Sequence, residues 1–136
     1  MISVCIATYN GEKFIKQQLT SILEQLAPAD EIIVSDDNSK DNTRNIIEEL
    51  NDNRIKIIDG PGMGSPTKNF EQALKHAKGD YIFLADQDDV WKEGKVSICM
   101  KYLKDYCCVV SDATVTDGDL KETSSSFFRL NNTKYG

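Results

Sequence analysis

Residues 81–89 read Tyr-Ile-Phe-Leu-Ala-Asp-Gln-Asp-Asp, an apolar run that ends abruptly in carboxylates. Residues 81–85 are short, continuous and apolar, which predicts a strand. Two further stretches repeat the design. Residues 2–7 (ISVCIA) lead into Thr8-Tyr9-Asn10, and residues 31–35 (EIIVS) lead into Asp36-Asp37-Asn38-Ser39. Residues 54–59 (RIKIID) and 107–111 (CCVVS) complete a predicted set of five strands, ending at Asp59 and next to Asp112.

Between the strands lie helical patterns. In residues 11–26, Ile15, Leu19, Ile22 and Leu26 recur at steps of four, three and four, forming one helical face that Pro28 terminates. Residues 41–50 carry Ile46, Ile47 and Leu50 at helical spacing. After the Gly-rich stretch 60–66, Ser65 is placed as an N-cap with Pro66 at the first helical position, and Gly79 marks the end of that helix. Asp89 is a candidate cap for a helix bearing Val96, Met100 and Leu103. Asp117-Gly118 signals a hairpin within residues 114–122. Strand and helix alternate, so the expected class is α/β: a mostly parallel sheet with helices on both faces, joined by right-handed crossovers. The 136 residues fit a single domain, 1–136.

Composition narrows the function. With 40% apolar and 28% charged residues the chain is neither a disordered tail nor a disulfide scaffold. Asp and Glu outnumber Lys and Arg by 22 to 16, a net charge of −6, which argues against nucleic acid as a partner. No apolar run approaches the roughly 18 residues that span a bilayer, and no signal peptide is evident. Cys5, Cys99, Cys107 and Cys108 form no CxxC pair and lie in apolar stretches. They are expected to be reduced core residues of a cytoplasmic protein.

Ligands of open α/β sheets bind beyond the carboxyl ends of the strands. Three polar clusters fall there, after the first, second and fourth strands. Their carboxylates would oppose one another's ionisation unless a cation sat among them. Asp86 and Asp88, two apart, share a face in extended backbone. A hard divalent ion takes one or two such carboxylates and completes its shell with water and phosphate. Turn formation is the simpler role for Asp36 and Asp37, and a DxD triplet alone is a weak signal. Tyr9 offers a flat face for stacking a base. Trp91 is read as core, and His76 as a surface residue. No G-x-G-x-x-G follows the first strand and no GxxxxGK[ST] occurs, which weakens the dehydrogenase and P-loop readings.

ISVCIATYNGEKFI, EIIVSDDNSKDNT and GDYIFLADQDDVW, in this order, resemble the family 2 glycosyltransferases of bacteria. The LADQDDVW string is similar to enzymes of surface-polysaccharide synthesis, rhamnosyltransferases among them. The resemblance implies a GT-A fold, a Rossmann-like sheet that binds a nucleoside-diphosphate sugar with Mg²⁺ or Mn²⁺. It implies that Thr8 and Tyr9 border the base, with Tyr9 stacking on it. Asp37 would accept from the ring N–H of uracil or thymine, and Asp36 would support the loop. Lys68 stands where many members carry an arginine near the base or diphosphate. Asp86 would approach the ribose or the metal, and Asp88 would be the main metal ligand. The implied reaction is inverting transfer to a saccharide or lipid-linked acceptor, in the cytoplasm or at the inner face of the membrane. Members of the family are longer. The expectation is therefore a donor-binding half, with the general base and most of the acceptor half beyond Gly136, and with a sheet edge open to self-association. A nucleotidyltransferase on a similar fold, and a nucleotide-binding fragment without turnover, stay open as alternatives.

Overall fold

The computed structural model describes residues 1–133. They form two compact units, Met1–Val96 and a second that begins at Ser97. The first unit contains β1 (Ile2–Thr8), α1 (Ile15–Leu23), β2 (Glu31–Asp36), α2 (Thr43–Glu49), β3 (Ile55–Asp59), α3 (Pro66–His76) and β4 (Tyr81–Asp86). The four strands make one parallel sheet in the order β3-β2-β1-β4.

That order follows from the chain. The steps β1 to β2 and β2 to β3 move in one direction, so right-handed crossovers place α1 and α2 on one face. The step from β3 to β4 returns past β1 and puts α3 on the other. There Ala73 packs in a core with Cys5 and Ile33, flanked by Ile58 and Ala77. The α1 stripe Ile15, Leu19, Ile22 and Leu26 is buried, as its spacing requires. Register aligns the strand ends: Ala7 pairs with Asp86, Thr8 with Asp36, and Asp36 with Asp59. The polar clusters after β1, β2 and β4 therefore share one edge of the sheet. The direction of chain travel reverses between β1 and β4, and such a switch point opens a crevice.

Local signals mostly hold. Ser65 Oγ accepts from Lys68 N–H and Pro66 opens α3. Trp91 is buried against Phe83, with ring centroids 5.6 Å apart. α1 starts later than its pattern, at Ile15, because the Gly11 carbonyl first closes a turn with the amides of Phe14 and Ile15. Arg54 Nη1 donates to the carbonyls of Leu23 and Leu26 at 3.1 and 2.8 Å, satisfying acceptors at the end of α1.

Four expectations need correction. Gly79 is not a left-handed helix stop. α3 ends at His76 with Ala77 extended, and Gly79 serves close packing, since a Cβ there would lie 2.5 Å from the Ser3 amide nitrogen. Asp89 does not cap a helix, because α4 (Lys95–Tyr102) begins six residues later. Residues 107–111 form no strand, and Val110 is 75% exposed. Cys107 and Cys108 are accordingly exposed, and only Cys5 and Cys99 are buried. Burial pushes the Cys5 thiol up to about 11, so it stays a protonated apolar group.

The second unit holds an antiparallel pair, β5 (Val115–Thr116) and β6 (Glu122–Ser124), and a short helix α5 (Phe127–Leu130). The expected hairpin is present, but its loop is longer than two residues. Asp117 Oδ1 organises it by accepting from the amides of Asp119 and Lys121. Asp112 fastens α5 by accepting from Ser126 Oγ at 2.6 Å and Phe128 N–H at 3.0 Å, which holds its carboxyl below the usual range. Among the described residues no helix is long and apolar enough to cross a membrane.

Candidate functional site

At the carboxyl edge of the first unit, the loops after β1, β2 and β4 enclose a cavity of about 250 Å³ with the start of α3. Thr8, Tyr9, Asp37, Asp86 and Asp88 all line it. This volume is close to the lower end of small-ligand clefts. Asp36 and Lys68, the other residues singled out from the sequence, do not line it.

Tyr9 is 53% exposed, so its ring is available to a partner. Thr8, by contrast, is buried and acts as a junction. Its carbonyl accepts from Asp37 N–H at 2.9 Å and Asn69 Nδ2 at 3.2 Å, and its hydroxyl donates to Gln87 Oε1 at 2.6 Å. The loop then turns through Asn10, whose φ of 49° suits asparagine better than most residues. Asn10 is fixed to the β2 side by Ser39 Oγ and the Lys40 amide.

The two aspartates after β2 do different work. Asp36 is sealed below the surface, where it accepts from Ser39 Oγ and faces Arg44 Nη1 at 3.5 Å. Arg44 also pairs with Asp59 at 2.8 Å, which raises the guanidinium pKa further. Asp36 thus braces the loop. Asp37 turns to the glycine loop: its Oδ1 accepts from Gly62 N–H at 2.5 Å and its Oδ2 from Gly64 N–H at 2.8 Å. Both glycines sit at positive φ, 67° and 61°, which lets their amides converge on one carboxylate. Each oxygen keeps a further lone pair for a ligand donor.

The acidic loop after β4 is held from below. Gln18, fully buried in α1, donates from Nε2 to the Asp86 carbonyl at 2.8 Å. Partial desolvation, and then the charge of Asp88, raise the Asp86 pKa above the ordinary carboxylate range. Asp89 is raised in the same way, by desolvation and then by Asp86 and Asp88, with Lys95 opposing. Asp86 and Asp89 thus both register the negative charge gathered in this loop. Among the described residues no group of three or more His, Cys, Asp and Glu side chains is arranged to hold a metal by itself. Asp86 and Asp88 suit an ion of the Mg²⁺ kind, which uses one or two carboxylates and fills its shell with water and phosphate. Lys68 is exposed, with Nζ on Glu71 at 2.7 Å.

Two site residues escaped the sequence reading. Gln87 stood between the two aspartates but drew no role, since amides carry no charge pattern. Asn69 left a fainter trace. It shares a helical face with Ala73 in the core, and a polar residue at a buried position has a reason to be there.

A family model described as Glycosyl transferase family 2 matches residues 3–135, nearly the whole chain. The chain belongs to glycosyl transferase family 2. Among its family 2 relatives, dTDP-rhamnosyl transferase RfbG of Shigella flexneri is 43% identical over 98 residues, covering 67% of this chain and 34% of that protein. UDP-Glc:alpha-D-GlcNAc-diphosphoundecaprenol beta-1,3-glucosyltransferase WfgD of Escherichia coli is 34% identical over 98 residues, covering 72% of this chain and 39% of that protein. The chain thus spans well under half the length of these relatives. The crystal structure of S. aureus TarS 1–349 in complex with UDP superposes with a TM-score of 0.70 at 25% identity, covering 85% of this chain and 41% of that one. The fold of this family 2 chain is GT-A, as the sequence motifs implied.

Proposed function

We propose that this chain binds a UDP- or dTDP-linked sugar and serves its transfer, with inversion, to a saccharide or lipid-linked acceptor in cell-surface polysaccharide synthesis. One observation carries the reading: Tyr9, Asp37, Asp86 and Asp88 come from three separate strand ends and line a single cavity. The relatives support it, since RfbG is named for a dTDP-rhamnosyl donor and WfgD for UDP-Glc and a diphosphoundecaprenol acceptor.

The roles follow from chemistry. Tyr9 stacks on the base, and Asp37 accepts from the pyrimidine N–H with the lone pairs its glycine amides leave free. Asp86 and Asp88 hold Mg²⁺ or Mn²⁺, which when bound neutralises the diphosphate and stabilises its departure. The acceptor hydroxyl attacks the anomeric carbon opposite the leaving oxygen. The new glycosidic bond forms as the bond to the diphosphate breaks and takes its electron pair. A carboxylate base then receives the hydroxyl proton; none of the described residues is assigned that role. A cytoplasmic place, at the inner membrane face, accords with a lipid-linked acceptor.

A second reading is donor binding without turnover, since the cavity is lined by the residues proposed for the donor and no base is assigned among the described residues. Calorimetry with UDP and dTDP, with and without Mn²⁺, tests what the two share. Binding that needs Mn²⁺ and disappears in Asp88→Ala is the expected result, and metal-independent binding in that variant would refute the assignment. Release of nucleoside diphosphate with glycosylated acceptor then separates transfer from binding.

A further inference from the structure

Between the two carboxylates assigned to the cation lies Gln87, whose side-chain amide is given over to the loop after β1. Its Oε1 accepts from Thr8 Oγ1 at 2.6 Å and Tyr9 N–H at 2.9 Å, and its Nε2 donates to the Tyr9 carbonyl at 3.2 Å. A primary amide offers the same donor and acceptor as a peptide group. Gln87 therefore pairs with the Tyr9 backbone as one more rung beyond the last β1–β4 partners, Ala7 and Asp86. An independent sign comes from Gly11. A Cβ there would lie 2.4 Å from Gln87 Oε1 and 2.9 Å from its Cδ. Gly11 is not among the residues at positive φ, so it is glycine for room and not for a turn. The room is what the Gln87 amide occupies.

We propose that Gln87 is a positioning residue that locks the Tyr9 backbone to the Asp86–Asp88 loop, so that the base and the diphosphate of one nucleotide are gripped at a set separation. The inference rests on the nucleotide-sugar reading above. Its physical content is preorganisation. Two contacts in one rigid frame reinforce each other, because fixing one end of the ligand presents the other end at high effective concentration. Once the clamp is cut, the base contact must order the loop for itself, and the advantage is lost. Neither Gln87 nor Gly11 needs to touch the ligand for this.

Gln87→Met keeps the side-chain length and removes the amide. UDP affinity in the presence of Mn²⁺ is measured by calorimetry for the wild type, Gln87→Met, Tyr9→Ala and the double variant. Each single change is expected to weaken binding roughly tenfold, and the double also roughly tenfold, because Gln87 acts through Tyr9. Losses that multiply to roughly a hundredfold would overturn the inference, since distinct contributions add in free energy. Amide hydrogen exchange supplies a readout that needs no ligand. The Tyr9 N–H should exchange faster in both Gln87→Met and Gly11→Ala, the second variant cutting the clamp with the glutamine still in place. Unchanged exchange in both also overturns it. A wild-type chain that binds neither UDP nor dTDP with Mn²⁺ overturns the nucleotide reading and this inference together, whereas wild-type binding with multiplying losses overturns this inference alone.

Discussion

Replacing Asp37 by asparagine removes one of two acceptors from the carboxylate that gathers the glycine loop. In the native chain the amides of Gly62 and Gly64 each donate to a separate oxygen of a side chain that is 5% exposed. Asparagine can accept from one of them, but its NH₂ then faces the other N–H, donor against donor. A hydrogen bond to a charged group contributes about 1.5–3 kcal/mol. The glycines themselves are exposed, so water can reach the amide that loses its partner, and the lower part of that range applies. We expect Asp37→Asn to cost about 1.5–2 kcal/mol and to lower the melting temperature by roughly 4–8 °C. Asp37→Ala, which removes both acceptors, should cost more. Urea unfolding reads the effect as a lower midpoint at unchanged slope, and hydrogen exchange reads it at Gly62 and Gly64. Nucleotide affinity should fall in parallel, because Asp37 and Gly64 line the same cavity. A midpoint equal to the wild type, with wild-type exchange at both glycines, would refute the clasp.

Tyr9→Ala should weaken UDP or dTDP binding by roughly 1–3 kcal/mol, the scale of a base stacked on an aromatic ring; an unchanged Kd removes the ring from the site. The Arg54 guanidinium holds the Asp52 carboxyl down at about 2 against an ordinary 3.8, through hydrogen bonds and charge. Asp52 is depressed in the folded state, so its contribution is present above the unfolded value and is lost as pH falls through the folded one. Arg54→Met should therefore cost at most about 2 kcal/mol through this pair at neutral pH. The stability gap to the wild type should narrow as the pH is lowered toward that of the folded group, and a gap independent of pH would contradict the pairing. β4 has one strand partner among the described residues, and Ile82 and Leu84 are 40% and 56% exposed on it. We expect concentration-dependent association in sedimentation velocity, reduced in Leu84→Lys; a wild type that stays monomeric at high concentration refutes it.

The parallel sheet was legible because its strands are continuous apolar runs and its α1 stripe keeps a helical period, both set by burial alone. The segment 107–111 has the same apolar composition as a strand and forms none, since a strand also needs another strand in register beside it, and composition does not report register. Gly79 was misread for a related reason. Glycine after a helix signals a left-handed cap or a close approach, and only the position of Ser3 decides between them. At the site, charge was the visible signal, so the aspartates stood out while Gln87 and Asn69 did not. Uncharged amides organise backbone by geometry, and geometry appears only once β1 and β4 lie side by side.

The strand-end aspartates also solve different parts of one electrostatic problem. A chain with net charge −6 proposed to bind a polyanion must first quiet its own carboxylates. Asp36 is quieted by Ser39 and Arg44, and Asp37 by two glycine amides. With these partners both carboxylates can be buried, Asp36 beneath the cavity and Asp37 in its lining. The loop after β4 differs: Asp86 and Asp89 are raised by desolvation and by their acidic neighbours, with Lys95 opposing the rise at Asp89. In the proposed reading, neutralising the first two aspartates from within concentrates the demand for a cation at the third strand end. It arises beside the residue that holds Tyr9 in place, where one ion can answer both the carboxylates and an incoming diphosphate.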